Sequence, residues 1–377
     1  MKLGKALVVG LAVNGAVFSA FAQSNVRISG ELDAGIQNYK SANGTSMNRL
    51  QNGAFGASRV IISGTEDMGA GLKANFMLEM APAMDTGAIS RFGFFNRNSW
   101  VGLSSTEWGE LRLGRYLTGT ANLLCQVDLH WCATGFNGTG IMYNGDLSTV
   151  GRWISGSPGR GGNGNDGISV YSGGTGTAGT AESNRKNNSV QYTTPRFSGF
   201  QAKLMYSLGE AGSGAQNGSG NHFDATVSYS QKDWYVALGY AEVQPDPLWD
   251  AKGKLLTLGG TYKTGNLRLG AIFQHETASG AAARWTRARS WAITSAYQVG
   301  AFEPYLKFGQ HRTNGVGAYG IVNATDSTVV NFGTLYNLSK RTALYADFAT
   351  DLKGSNGNPA VYKADPRSLS VGMRHRF

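Results

Sequence analysis

The residues able to do chemistry in this chain are few and dispersed. Gly161 to Ser169 reads GGNGNDGIS, a complete match to the nonapeptide that binds calcium in parallel β-rolls. It occurs once, whereas a roll site takes its ligands from successive repeats, so a flexible glycine-rich loop is the better reading. His130, His222, His275, His311 and His375 have no metal-ligand spacing. Asp128 and His130 suggest acid-base work or a metal, but a polar pair in a loop explains them more simply. No nucleophile elbow, Walker loop or dinucleotide fingerprint is present, and the segment SGGTGTAGT lacks the Lys-Ser or Lys-Thr that would bind phosphate. The residues therefore imply no cofactor, no metal and no catalytic group.

What remains is charge placed inside apolar segments. In VRISGELDAGI, Val26, Ile28, Gly30, Leu32, Ala34 and Ile36 share one parity, while Arg27, Ser29, Glu31 and Asp33 share the other. The same period of two, the mark of a strand with two unlike faces, runs through LKANFMLE (72–79), WYVALGY (234–240), NLRLGAIFQHE (266–276) and FEPYLKFG (302–309). Polar-face charges sit deep in these strands, at Arg27, Glu31, Asp33, Arg59, Arg112 and Lys307. With 54 glycines, 8 prolines and 11% aromatics, the chain suits many strands joined by glycine-rich turns; no segment shows a convincing helix pattern.

The first 22 residues are separate. Lys2 and Lys5, an apolar run from Ala6 to Phe18 and the small-residue site Ala20-Phe21-Ala22 make a secretory signal, with the mature chain spanning 23–377. Removing the two lysines takes the formal net charge from +10 to +8. Export argues against nucleic acid as the partner of that surplus, leaving a membrane surface or anionic solutes. An oxidising destination favours a disulfide between Cys125 and Cys132 over two free thiols. If bonded, the intervening segment is not a continuous helix, since seven residues of helix would hold the Cα atoms roughly 10 Å apart.

Between the strands, hairpin-sized connections alternate with long polar ones at about 40–57, 80–93, 117–186, 209–221, 243–253, 277–288, 311–326 and 352–366. That alternation makes sixteen strands, an even number with both chain ends on the short-turn side. A soluble sandwich would pack its apolar faces into a shared core and split into linked domains. A closed barrel of this size instead leaves a water-filled bore, lined by the polar parity, and an apolar exterior facing the lipid bilayer. Aromatics near strand ends, Trp100, Tyr192, Phe197, Phe200, Trp234, Phe302 and Phe377, fit interfacial girdles. The expected fold is thus all-β, a 16-stranded antiparallel transmembrane β-barrel with short periplasmic turns and long external loops.

The segments GTEDMGAGLKANFMLE (64–79), NRNSWVGLSSTEWGELRLGR (96–115), NSVQYTTPRFSGF (188–200), YNLSKRTALYADF (336–348) and the terminal SVGMRHRF resemble the trimeric general-diffusion porins of neisserial and beta-proteobacterial outer membranes. The resemblance implies a passive channel for small hydrophilic solutes in the outer membrane of a Gram-negative bacterium, a homotrimer, and a third external loop (117–186) folded inward as a constriction. It places a basic wall cluster on Arg59, Arg97 and Arg185. Arg59 has lumen parity independently. Arg97 shares its side with Ser99, Val101 and Leu103, so parity leaves both faces open. Lys73, Arg112 and Arg27 are secondary lumen positions, Arg27 nearer the periplasmic mouth. The third loop departs from the family pattern, offering only Asp128 and Asp146 as acids and adding the cysteines. A constriction poor in acid prefers anions. Phe377, ending a strand with Leu369, Val371 and Met373 on its own parity, resembles the signal read by barrel insertion machinery. The competing reading is an exported β-rich adhesin or binding protein without a pore.

Overall fold

A computed structural model of the chain describes residues 25–40, 46–52, 55–89, 94–129, 185–208, 221–243, 252–279, 287–314, 327–352 and 367–377. The strands β1 (Asn25–Lys40), β2 (Ser46–Asn52), β3 (Arg59–Gly69), β4 (Leu72–Met80), β5 (Ser99–Ser105) and β6 (Gly109–Leu117) precede one helix, α1 (Gly119–Val127). After it come β7 (Arg185–Thr193), β8 (Phe200–Ser207), β9 (His222–Ser230), β10 (Trp234–Val243), β11 (Lys252–Thr264), β12 (Leu267–Ser279), β13 (Arg287–Tyr297), β14 (Phe302–Asn314), β15 (Ser327–Asn337), β16 (Thr342–Asp351) and β17 (Arg367–Arg376).

From β3 onward each strand pairs antiparallel with its successor, and β17 returns to β1 from Glu31↔Arg376 to Lys40↔Arg367, so the sheet closes. One edge of β1 is shared: β2 lies along Ala34–Lys40 and β3 along Asn25–Glu31. These two strands occupy a single place in the wall, which makes the barrel sixteen-stranded. Along β1 and from β3 to β17 both edges are paired, the condition for a sheet surrounded by hydrocarbon. The seam is finished by Phe377, whose backbone exchanges hydrogen bonds with Gly30 at 3.0 and 3.2 Å. Its ring covers the space that a side chain at position 30 would need: a Cβ there would lie 2.7 Å from the ring.

The two parities separate as the alternation requires. On β1, Glu31, Asp33 and Gln37 are shielded inside while Val26, Ile28 and Ile36 stand outside; on β11, Leu255 and Thr257 face in, Leu256 and Leu258 out. Outward ring pairs Phe200–Tyr229, Trp234–Tyr262 and Phe302–Tyr336 sit beside the short turns, and Trp291–Phe308 and Phe332–Phe348 lie further toward the long-loop end. Such belts mark the two interfaces of a membrane. Trp100 departs from the girdle expectation: it is buried on the inner face, between the outward Ser99 and Val101 neighbours, with the Arg112 guanidinium 4.1 Å from its ring centroid.

The expected loop at 40–57 also differs. β2 recovers part of it as wall, and the chain then turns into the bore before β3 begins. Asp33 fixes this excursion from the neighbouring strand: its carboxylate accepts from Gly56 N at 2.7 Å, and its own N–H donates to Ser58 Oγ at 3.0 Å. A polar segment with glycines at both ends gave no sign that Phe55 would be carried inward to stack on Tyr345, 5.4 Å between centroids.

Candidate functional site in the barrel lumen

A large group of inner-wall charges gathers on one side. Glu79, near the end of β4, is the centre. Across the ladder it faces two residues at once, donating its N–H to Asn98 O at 2.7 Å and accepting from Arg97 N at 3.2 Å. Two residues opposite one is the arrangement of a β-bulge, which resets side-chain parity. Arg97 therefore turns inward although Val101 and Leu103 on its own parity face out. Its Nε donates to Glu79 Oε1 at 2.8 Å, and Asn98 donates to the other carboxylate oxygen. The backbone before the bulge is held by Arg115, whose Nε donates to Asn96 O at 2.7 Å. Arg115 in turn sits at an irregularity in β6, between Gly114 and Tyr116.

Arg59 opens β3 and Arg185 opens β7; the positive charges of Arg97, Arg185 and Arg59 all act on the Glu79 carboxylate. The three positions expected for a basic cluster are thus brought to one place, although they come from three separate segments of the chain. The cluster continues around the seam. Arg376 Nε donates to Glu31 Oε2 at 2.7 Å, with Arg59 3.7 Å from the same oxygen, and Arg374 adds its charge beside Glu31 and Asp33. The guanidinium groups of Arg59, Arg97, Arg185, Arg374 and Arg376 thereby stand among the carboxylates of Glu31, Asp33 and Glu79, with Glu303 acting on Arg374 as well. Glu79, Arg374 and Arg376 were not among the sequence candidates. The lumen parity of Glu79 was visible, but its service to three distant arginines was not.

The opposite wall is built differently. α1 lies inside the barrel against β8 to β12. At nine residues it is too short for a readable periodicity, and it persists because both ends are satisfied. Thr118 Oγ1 accepts from Ala121 N at 3.2 Å, and Asp224 on β9 accepts from Thr120 N at 3.1 Å and from its hydroxyl at 2.5 Å. Leu123, Leu124 and Val127 pack on Ala237, Ile272 and Ala292. The wall beneath has glycine where the helix comes closest. A Cβ at Gly259 would lie 3.0 Å from both Leu123 and Val127, and one at Gly270 only 2.5 Å from Val127 O.

Asp128 follows the helix and is committed to Lys307 of β14, Nζ to Oδ2 2.8 Å, with both side chains nearly inaccessible. Glu79 is a carboxylate on which the three arginines act, and the partner of Lys307 is Asp128. Next to it Leu129 joins Phe55, Tyr305, Leu335 and Tyr345 in an apolar cluster within the bore. Two inward segments, α1 with its C-terminal turn and the excursion before β3, therefore meet there.

Of the secondary positions, Arg112 faces in and pairs with Glu110 at 2.6 Å, whereas Lys73 and Arg27 are exposed near the short-turn end, Lys73 opposite Asp67. Cys125 lies on α1 and is disulfide-bonded; the chain's other cysteine, Cys132, is outside the described residues, as are His130, Asp146, the GGNGNDGIS segment and residues 1–22. Among the described residues no group of three metal-ligating side chains occurs.

A closed sixteen-stranded barrel with an apolar exterior, a charged inner wall and the helix α1 inside it is matched by a known family. The family profile described as Gram-negative porin covers residues 6–356. The chain belongs to the Gram-negative porins. Outer membrane porin protein 32 of Delftia acidovorans is 30% identical to this porin, over 99% of this chain and 100% of its own. Major outer membrane protein P.IB of Neisseria gonorrhoeae is 24% identical, over 97% and 99%. The solved structure of an anion-selective porin from Comamonas acidovorans superposes with a TM-score of 0.73 at 27% identity, covering 94% of this porin and all of that chain. This porin is an outer-membrane channel protein, which displaces the reading of an adhesin without a pore.

Proposed function

We propose that this porin lets small hydrophilic solutes diffuse passively and favours anions, with Arg59, Arg97 and Arg185 setting the sign and Glu79 as their counter-charge. The observation that carries the proposal is that these three guanidinium groups all act on one carboxylate, within a patch continued by Arg374 and Arg376. At about 4 Å a unit charge attracts another by roughly 1 to 4 kcal/mol between water-like and surface-like dielectric, enough to bias traffic of small ions. A relative named as an anion-selective porin supports the sign. No step changes a covalent bond in the solute.

The same reading includes cleavage after Ala22, residues 117–186 as the constriction loop, assembly as a homotrimer and recognition of the strand ending in Phe377 by barrel insertion machinery. The first rests on the signal pattern and the others on the family resemblance; the inward course of α1 supports the second. The test is the reversal potential of the purified porin across a planar bilayer in a potassium chloride gradient. Wild type should fall on the anion side, and Arg97→Ala should move toward the cation side. A cation-selective wild type would sink the proposal.

A further inference from the structure

Two segments of the chain meet inside the bore, and the channel reading does not use the place where they meet. From the seam comes the excursion before β3, carrying Phe55; from the helix wall comes the turn after α1, carrying Leu129. Their cluster is completed by Ala296, Tyr305, Leu335, Ala343 and Tyr345 on the inner face of β13 to β16, and all seven are more than nine-tenths buried. The inner face at this point is apolar and dry. A barrel of sixteen strands is wide enough to keep an aqueous channel, so a packed cluster that reaches inward from one wall takes up only part of the cross-section.

The wall is shaped to hold this cluster. Tyr305 and Tyr345 lie along the sheet across glycines: a Cβ at Gly333 would be 2.6 Å from the Tyr305 hydroxyl, and one at Gly35 would be 2.5 Å from that of Tyr345. Laid down in this way, Tyr345 donates to Asp33 Oδ1 at 2.8 Å, and Tyr305 donates to Asp347, which also accepts from Asn331 Nδ2 at 2.6 Å. Phe55 packs on both rings, its centroid 5.4 Å from that of Tyr345 and 5.8 Å from that of Tyr305. Its own segment is anchored at Asp33, whose carboxylate accepts from Gly56 N and whose carbonyl accepts from Ser58 Oγ at 3.2 Å. Leu129 is anchored through its neighbour Asp128, which is bound to Lys307. Each apolar side chain is thus carried into the bore by a buried polar contact beside it.

The cluster divides the bore into unlike parts. On the arginine side the wall stays wet, since Arg59 and Arg376 keep 24% and 30% of their side chains exposed. On the other side the cluster covers Asp33, Asp128, Asp347 and Lys307, none of them more than 5% exposed, and acids outnumber bases among these four. Arg374 stands at the boundary, its guanidinium 5.1 Å from the Phe55 ring centroid. We propose that Phe55 is a specificity-determining residue: packed in one cluster with Leu129, it closes the bore along β13 to β16 and confines solutes to the route past the arginines. A fixed charge is screened beyond roughly 8 Å at physiological salt. Ions passing along β13 to β16 would therefore meet the acids there and escape the arginines opposite, and the closure removes that route. The proposal rests on the anion-preferring reading and adds to it the reason that the arginine wall is not bypassed.

The experiment inserts the full-length mature porin into a planar bilayer and reads single-channel conductance, the reversal potential in a potassium chloride gradient, and the largest polyethylene glycol that still enters the pore. Phe55→Ala should raise the conductance and admit larger polymer. It should also lower the anion-to-cation permeability ratio about fivefold, the scale of one unit charge at contact in a water-like dielectric, although every arginine is still in place. Leu129→Ala opens the same route from the other segment; it should move all three readings in the same direction, and it serves if the first variant does not insert. Phe55→Met refills most of the volume with an apolar chain and should return the readings most of the way. In the Phe55→Ala pore, Asp347→Asn should recover part of the lost anion preference, because the opened route is then less acidic. An anion-preferring wild type whose ratio is unchanged in Phe55→Ala, or whose conductance rises with the ratio kept or increased, would overturn this inference and leave the channel reading standing. A cation-preferring wild type would overturn both.

Discussion

The arginine wall at β1, β3, β4, β7 and β17 and the helix wall at β9 to β12 are built from the same alternation yet hold opposite contents. On the arginine wall the inward parity carries ions paired with one another, Arg97 with Glu79 and Arg376 with Glu31. On the helix wall it carries alanine, isoleucine and glycine where α1 packs, because a segment of the chain itself is docked there, beside buried polar residues such as Asp224, Thr257 and Gln274. Inward does not mean wet. The arginine wall also holds a docked segment, the excursion at 55–58, but holds it through the Asp33 carboxylate and N–H rather than through apolar packing on the wall.

The contrast breaks most severely where the tether of the third loop is cut. Asp128→Ala leaves Lys307 buried without its carboxylate, and removing one partner of a buried pair costs about 3–5 kcal/mol. The expected outcome is a lower denaturation midpoint together with a larger single-channel conductance as the loop leaves the bore. Asp128→Leu with Lys307→Met should recover most of the stability, since packed apolar residues often replace a buried pair at little cost.

On the arginine wall, Glu79→Gln keeps the shape and removes one negative charge among three arginines. Anion preference should rise severalfold, the scale set by roughly 1 to 4 kcal/mol per unit charge at 4 Å, as read from the reversal potential. An unchanged potential would place the selectivity elsewhere. The smallest effect is expected at Arg268, which pairs with Glu303 near the short-turn side and is about one third exposed. Arg268→Gln should cost less than about 1 kcal/mol and leave selectivity within error, which makes it the control for the other two.

Much of this was legible beforehand, for a simple reason. A barrel wall is one layer thick, so period two assigns each side chain to lipid or lumen with no further knowledge of packing. That is why the strand count, the outward Leu269 and Phe273 and the inward Glu31, Asp33 and Arg59 could be read directly. Arg97 could not, because a bulge opposite Glu79 breaks the count by one. The partner of Asp128 could not be read either, because a lone loop acid says nothing of Lys307, 179 residues away.

Phe55 and α1 mark the same boundary. Their inward course depends on Asp33 and Asp224, carboxylates on distant or neighbouring strands that accept backbone N–H groups the turns cannot satisfy themselves. Alternation, length and turn spacing determined by themselves that this chain closes into a cylinder with two unlike surfaces. Which inner residues meet across the bore, and so which charges an ion encounters, was decided only by closure, since pairing β17 with β1 brings together groups more than 300 residues apart.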